Sequence, residues 1–338
     1  MTKNRITLSD VAGAAGVSVA TVSKVLNDRR DVSAQTRRRV LRHLHAASYR
    51  PVGSDSALRR QGMFIEVVFP DAQNSYSIAV LEGITDGAQT EGLEVVVGRK
   101  FGSRGSRSDI DPELLLKSGR AGAIFITMDP TSAHLRILRD ADFAVVVVDP
   151  LRLGEPDCVS IGATNFAGGV AATEYLLSLG HQRIGHAGGP DRVDCSHARL
   201  AGYTSALRQA GVEFDESLIM HCSFHYEQGR SAAGQLLDRD DPPTAIFAGN
   251  DEIALGVMEE ARRRSIRVPE DLSVVGFDDT FMATRSAPQL TTVAQPLVEM
   301  GRVAIRSLAR MINHESVGSN HIELATRLVI RDSTAPRR

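Results

Sequence analysis

Tryptophan is absent from this chain, aromatic residues make up only 5%, and the three cysteines, Cys158, Cys195 and Cys222, stand far apart with no CxxC pair. So few and so scattered, they exclude a disulfide framework and speak against zinc or dithiol chemistry. No run of about 18 apolar residues occurs, so no membrane-spanning helix is expected. The stretch from Met1 to Asp10 is polar and lacks the apolar core of an export signal, which points to the cytoplasm. Catalytic signatures are missing too: there is no GxSxG elbow, no P-loop and no HExxH. His43 and His45 fall on different faces of a helix, and His221 and Cys222, adjacent in a strand-like run, point to opposite sides. The expectation is a protein that is not an enzyme, with no catalytic residue, no metal and no cofactor.

What is present is an aliphatic composition, 42% hydrophobic and 24% charged over 338 residues, enough for two or three domains. The net charge of −2 conceals an asymmetry. Residues 1–61 hold 12 Lys/Arg against 4 Asp/Glu, a charge of +8, which leaves −10 on the remainder. A basic head on an acidic body is the charge pattern of a nucleic-acid-binding module joined to something else, although a solvated basic face gives the same count.

The head carries a helix pattern that decides between those two. Thr7 with Asp10 three residues later forms a capping-box arrangement, and Leu8, Val11, Ala12 and Ala15 make an apolar stripe at helical spacing. Gly16 ends that helix, Val17 is the buried residue of the turn, and Ser18 caps a second helix with Val22, Val25 and Leu26 inward. Two short helices about a glycine turn are the unit that lays its second helix in the major groove of double-stranded DNA. On this reading Ser18, Val19, Ala20, Thr21, Ser23 and Lys24 face DNA, with Thr7 at the start of the first helix. Val19 and Ala20 suit thymine methyls; Thr21, Ser23 and Lys24 suit phosphates; Asn27 suits either. Ser33 caps a third helix whose buried stripe is Val40, Leu41 and Leu44. Its arginines 37, 38, 39 and 42 form a wet face or touch phosphates.

The segment ITLSDVAGAAGVSVATVSKVLNDRRDVSAQTRRRVLRHLHAASYRP resembles the DNA-binding headpiece of the lactose/galactose repressor (LacI/GalR) family. Its most specific part is DVA, AGVSVATVSKVLN, then VS, TR and YRP. The resemblance implies a headpiece over 1–51 and a hinge over 52–61 that becomes helical on DNA. In the family, paired hinge helices wedge a leucine between bases in the minor groove, and counting from Tyr49-Arg50-Pro51 puts that leucine at Leu58. The alternative for Leu58 is packing against the core. This hinge is unusual: Gly53 and Asp55 weaken helix propensity, and Ser56 stands where the family often has arginine.

From Met63 onward, short aliphatic runs alternate with amphipathic helical patterns, which predicts parallel sheets covered on both faces. The expected fold class is α/β with an all-α N-terminal helix-turn-helix. The resemblance makes the body, 62–338, a two-lobed periplasmic-binding-protein-like (type I) ligand-binding core. Lobe 1 is expected over 62–163 and 293–321, lobe 2 over 164–292 and 322–334, with crossings near 163, 292 and 321. Ligand belongs between the lobes, at the carboxyl ends of strands.

Segments 179–190, 196–203, 245–261, 268–279 and 290–296 stand in family positions, the last as a return crossing. Matching them places the family's ligand-contacting arginine on Arg199, its asparagine on Asn250, its aspartate on Asp278 and an aromatic on Phe224. A fork donor, an amide and a carboxylate, beside an aromatic face, suit a sugar-like effector. The competing readings are an ion pair for Arg199, a helix cap for Asn250 and Asp251, and a turn for Asp278. Asp149, Tyr76 and Asp71 are weaker candidates, and Glu66 inside the first strand has no sequence-level explanation. The expected function is a sequence-specific transcriptional regulator: a repressor on a pseudo-palindromic operator, acting as a homodimer and controlled by a small effector. An activator, or a regulator with a nucleobase or protein corepressor as effector, is the alternative.

Overall fold

The computed structural model describes residues 7–26, 32–33, 36, 39–40, 43, 63–69, 74–99, 111–152 and 158–337. It forms two units, Met1–Met63 and Phe64–Arg338.

In the first unit, α1 (Leu8–Ala15) opens with the expected reciprocal cap. Thr7 Oγ1 accepts from the Asp10 amide at 3.3 Å, and the Thr7 amide donates to Asp10 Oδ2 at 2.7 Å. Gly16 closes the helix at φ 62°, a conformation glycine adopts without steric cost. Ser18 Oγ accepts from the Thr21 amide at 3.1 Å and caps α2 (Val19–Leu26). Val11, Ala12, Ala15, Val22, Val25 and Val40 form a small closed core, with Val17 half-buried at its edge rather than inside it. Ser33 Oγ accepts from the Thr36 amide at 3.2 Å, the cap expected for the third helix. Asn27, Leu58 and the hinge 52–61 lie outside the described residues.

The second unit contains two parallel α/β sheets. Lobe 1 is built from β1 (Met63–Phe69), α3 (Ser75–Glu91), β2 (Leu93–Arg99), α4 (Pro112–Lys117), β3 (Gly122–Ile126), α5 (Ser132–Asp140), β4 (Ala144–Val148), β5 (Val159–Ala163), α11 (Leu297–Ile312) and β11 (His321–Leu324). Its strand order is β11-β5-β4-β3-β1-β2. Lobe 2 contains α6 (Asn165–Ser178), β6 (Ile184–Gly188), α7 (Asp194–Gln209), β7 (Ile219–His221), α8 (Tyr226–Leu237), β8 (Ala245–Ala248), α9 (Asp251–Arg263), β9 (Ser273–Asp278), α10 (Phe281–Arg285), β10 (Thr291–Ala294) and β12 (Arg327–Val329). Its order is β12-β10-β9-β8-β6-β7. Both β3 and β4 are buried along their whole length, because helices cover both faces; hence the near-continuous apolar runs GAIFI and AVVVV.

Helices pair across the faces through glycines. A Cβ on Gly83 in α3 would strike the Val298 backbone, and one on Gly301 in α11 would strike Val80. Gly169 and Gly202 play the same part between α6 and α7, and Gly229 and Gly256 between α8 and α9. The missing side chains let backbones touch, so each helix pair sits close on its sheet.

The chain passes between lobes at Thr164, at 295–296 and at 325–326. The crossings expected near 292 and 321 are therefore displaced. β10 continues beside β9 to Ala294 in lobe 2, and β11 pairs with β5 to Leu324 in lobe 1. Both strands are short and partly polar, so their pairing, not their composition, sets the boundary. Glu66, the buried acid of β1, has a partner: Arg120 Nε donates to its Oε2 at 3.3 Å. Gly98 on the neighbouring strand leaves room for that carboxylate.

Candidate effector cleft and nucleic-acid interface

The facing ends of the two sheets place their polar residues where β4 and β9 stop. Asp149 follows β4 with φ 46°, and Asp278 ends β9 with φ 109°. Both occupy the left-handed region that disfavours a side chain, a strain that surrounding contacts must hold. From lobe 1, the Tyr76 hydroxyl, in the first turn of α3, donates to Asp149 Oδ2 at 2.5 Å. The rest of the site comes from lobe 2.

Arg199, on α7, is 3% exposed. Its Nε donates to Asn165 Oδ1 at 2.9 Å and its Nη1 to the Gly249 carbonyl at 2.5 Å. Its guanidinium lies 3.8 Å from the centre of the Phe277 ring, and Phe224 stands 6.0 Å away. The Asp278 carboxylate is a looser partner, 3.8 Å from Nη2. Asp278 Oδ1 accepts instead from Gln295 Nε2 at 2.7 Å. Behind it, Asp251 accepts from the Thr280 amide at 2.7 Å, the Thr280 hydroxyl at 2.9 Å and the Thr292 hydroxyl at 2.6 Å. Asn250 caps α9, its Oδ1 accepting from the Ile253 amide at 2.8 Å while its Nδ2 donates to the Phe224 carbonyl at 3.5 Å. The cap reading of Asn250 thus describes its oxygen.

These groups perturb one another across the lobes. Burial pushes Asp278 up from 3.8 to about 8 and Asp251 to about 7; Arg199 opposes the shift at Asp278 and Asp251 adds to it, while Asp279 adds to the shift at Asp251. Burial raises Asp149 as well, against the Tyr76 hydrogen bond and Arg199. Burial, then Asp149, raises the Tyr76 phenol. Cys195 is held as a thiol, pushed up to about 11 by burial. The rims of the lobes are joined by a hydrogen bond from the Asp194 amide to the Leu151 carbonyl at 3.0 Å. The structure thus brings Tyr76, Asp149, Arg199 and Asp278 together, with Asn250 and Phe224 beside them. Asp71 lies outside the described residues. Gln295, Asn165 and Asp251 complete the network. Gln295 sits in a segment the sequence marks only as a crossing, and Asn165 opens a helix, where a cap is the ordinary reading.

Ser18, Val19, Ala20 and Lys24 are exposed on or beside α2, with Thr21 and Ser23 half-buried, while Thr7 is exposed at the start of α1. Val19 is an apolar side chain left 45% exposed, whereas Val22 and Val25 of the same helix are buried.

Residues 7–52 match the family described as bacterial regulatory proteins, lacI family, and residues 173–334 match the periplasmic binding protein-like domain. The transcriptional regulator DegA of Bacillus subtilis is 35% identical over 98% of this chain and 99% of its own. The chain belongs to the lacI family. This regulator is also similar to a solved complex of the regulator CelR with cellobiose, with a TM-score of 0.72, 31% identity, and 97% of this chain and 100% of that one covered. A lac repressor dimer bound to operator and an anti-inducer superposes with a TM-score of 0.71 at 26% identity, over 98% of this chain and 100% of that one. The lacI-family chain is a DNA-binding transcriptional regulator with a two-lobed type I core. Among the described residues no helix is long and apolar enough to cross a membrane.

Proposed function

We propose that this regulator is a homodimeric repressor of a pseudo-palindromic operator, released or engaged by a sugar bound between its lobes. The observation that carries the sugar reading is the buried set Tyr76, Asp149, Arg199, Asp278 and Gln295, drawn from both lobes at the carboxyl ends of their sheets. It mixes fixed donors and acceptors, as hydroxyl groups require, and Phe224 offers an apolar face to a ring. Buried oxygens without a protein partner stand in the same region: Ser196 Oγ beside Phe224, and Gln295 Oε1 beside Asp278. The relative bound to cellobiose supports the same class of ligand.

On this reading α2 reads the major groove with Val19 and Ala20 on base edges. Thr7, Ser18, Thr21, Ser23 and Lys24 serve as positioning contacts, and Asn27 and Leu58 complete the interface. Effector and operator each favour one arrangement of the lobes, and their affinities are coupled by that difference. A thermal-shift screen of the full chain against mono- and disaccharides tests the claim. A ligand at 100 times its Kd stabilises by about 2.7 kcal/mol, a readable rise. The rise should vanish in Arg199→Ala and Asp278→Ala. A panel without any rise removes the sugar and leaves the DNA-binding assignment untouched.

A further inference from the structure

We infer that Arg331 is a positioning residue of the effector site: through Asp279 it holds the turn that presents Asp278. The inference rests on the reading of Asp278 as an effector contact and adds the residue that keeps that side chain in place.

Asp278 ends β9 on a backbone that needs holding. Its φ is 109° and that of Asp279 is 57°, so two consecutive residues with side chains stand at positive φ. Such strain persists only where neighbouring contacts fix it. The contacts here fall on three residues in a row. Gln295 holds Asp278, its backbone amide donating to the Asp278 carbonyl at 3.2 Å and its Nε2 to Oδ1 at 2.7 Å. Asp251 holds Thr280 by its amide and its hydroxyl. Arg331 holds Asp279 between them: Nη2 donates to Asp279 Oδ1 at 2.6 Å, and Nη1 donates to the Leu290 carbonyl at 2.8 Å. The paired side chains are 14% and 17% exposed, so salt screens them little.

Arg331 is itself fixed. Its amide donates to Thr291 Oγ1 at 2.9 Å, and the Asp332 amide donates to the Gln289 carbonyl at 3.0 Å. Next in the chain, Ser333 Oγ accepts from the Thr291 amide at 2.8 Å and donates to the Val274 carbonyl at 2.6 Å. The guanidinium therefore reaches the turn from a backbone pinned to β9 and β10. One prong rests on the residue before β10 and the other on the residue after β9, and a planar fork sets their spacing as a lysine ammonium does not. Without it, Asp279 loses its charged partner and the left-handed pair is free to relax. A peptide rotation there carries the Asp278 side chain away from Gln295 and Arg199. Arg331 also follows β12 from the crossing at 325–326, and Gln295 stands at the crossing at 295–296. A change in the angle between the lobes thus bears on the turn through both holders.

Hydrogen exchange and calorimetry on the full chain test the grip. In the ligand-free protein, Arg331→Met should speed exchange of the Thr280 and Gln295 amides about tenfold or more and leave the amides of β6 unchanged. Ser333→Ala, a cut in the same segment, should speed exchange at Thr291, whose amide it unpairs, and leave Thr280 and Gln295 unchanged. With glucose, ribose and cellobiose as probes, Arg331→Met should raise the Kd of each sugar that binds by about tenfold or more, and Arg331→Lys should recover part of the loss. Ser333→Ala should leave Kd within about twofold, although its urea midpoint falls. Asp279→Asn keeps the left-handed backbone but removes the charged acceptor. Adding Arg331→Met to it should change Kd by no more than about twofold, because the two residues act as one. Unchanged exchange at Thr280 and Gln295 in Arg331→Met overturns the inference, and so does an unchanged Kd or a full effect of that variant in the Asp279→Asn background. A Kd raised equally by Ser333→Ala assigns Arg331 to general stability and overturns it as well. If none of the three sugars binds the wild type, the sugar reading fails, and the exchange comparison alone decides for or against the grip.

Discussion

Lobes 1 and 2 are the same sheet built twice, and they differ in how their edges of the cleft are held. Both run in the order of a doubly wound sheet, with the last strand parallel in lobe 1 and antiparallel in lobe 2. Among the described residues, lobe 1 offers the cleft one bonded pair, Tyr76 with Asp149. Lobe 2 offers Arg199 bonded to Asn165 and Gly249 and lying beside the Gln295–Asp278 pair, and a second set in which Thr280 and Thr292 hold Asp251. Among the described residues, the repeated fold thus carries more hydrogen bonds on the lobe 2 side of the cleft than on the lobe 1 side. Preorganisation of the bonded lobe 2 groups lowers the ordering cost of binding.

The largest expected effect falls on lobe 2. Arg199→Ala strips a buried cation from Asn165, Gly249 and Asp278, and should lower the stability of the core by about 3–5 kcal/mol in urea titrations. If it costs no more than Tyr76→Phe, the contrast between lobes is wrong. A second test uses pH. Between its ordinary value of 3.8 and its raised value of about 8, Asp278 keeps a proton in the folded chain that it loses in the unfolded chain. Folded protein then binds more protons, so stability falls as pH rises through that window. The urea midpoint of the ligand-free protein should drop from about pH 5 to about pH 8, and should drop less in Asp278→Asn.

Tyr76→Phe should cost about 1–2 kcal/mol, the loss of one hydrogen bond to a buried carboxylate, read from the same titrations. Gly83→Ala in lobe 1 and Gly169→Ala in lobe 2 should each cost about 1–3 kcal/mol and by similar amounts, since both force apart a backbone contact that the lobes share. A large difference between those two would sharpen the contrast by extending it from the cleft to the packing. The smallest change belongs to the head. Lys24→Ala should weaken DNA binding evenly across sequences and lower the slope of log affinity against log salt by about 1.

Much of this architecture is legible in the residues alone. Runs such as Ile184–Gly188 and Ala245–Ala248 coincide with strands because strands buried on both faces must be apolar throughout. The capping box of Thr7 and Asp10 and the left-handed Gly16 follow from local chemistry. The edges of the lobes are less readable. β11 alternates exposed and half-buried residues and β12 spans three, so neither has an apolar run to announce it. Pairs distant in the chain are also silent: the Glu66–Arg120 bond joins positions 54 residues apart. At the cleft, Arg199, Asn250 and Asp278 stand out through motif matching. Gln295, which bonds Asp278, lies in a segment whose strand and crossing character explains it without any site.

Coupling between cleft and DNA is read by operator affinity. A duplex selected from a randomised palindromic library would be titrated with the full chain by fluorescence anisotropy, with and without the sugar that stabilises the core. Affinity should change about 5- to 150-fold, the usual span of such coupling, with no change in Arg199→Ala. Equal affinity with and without a sugar that demonstrably binds the wild-type cleft would contradict it.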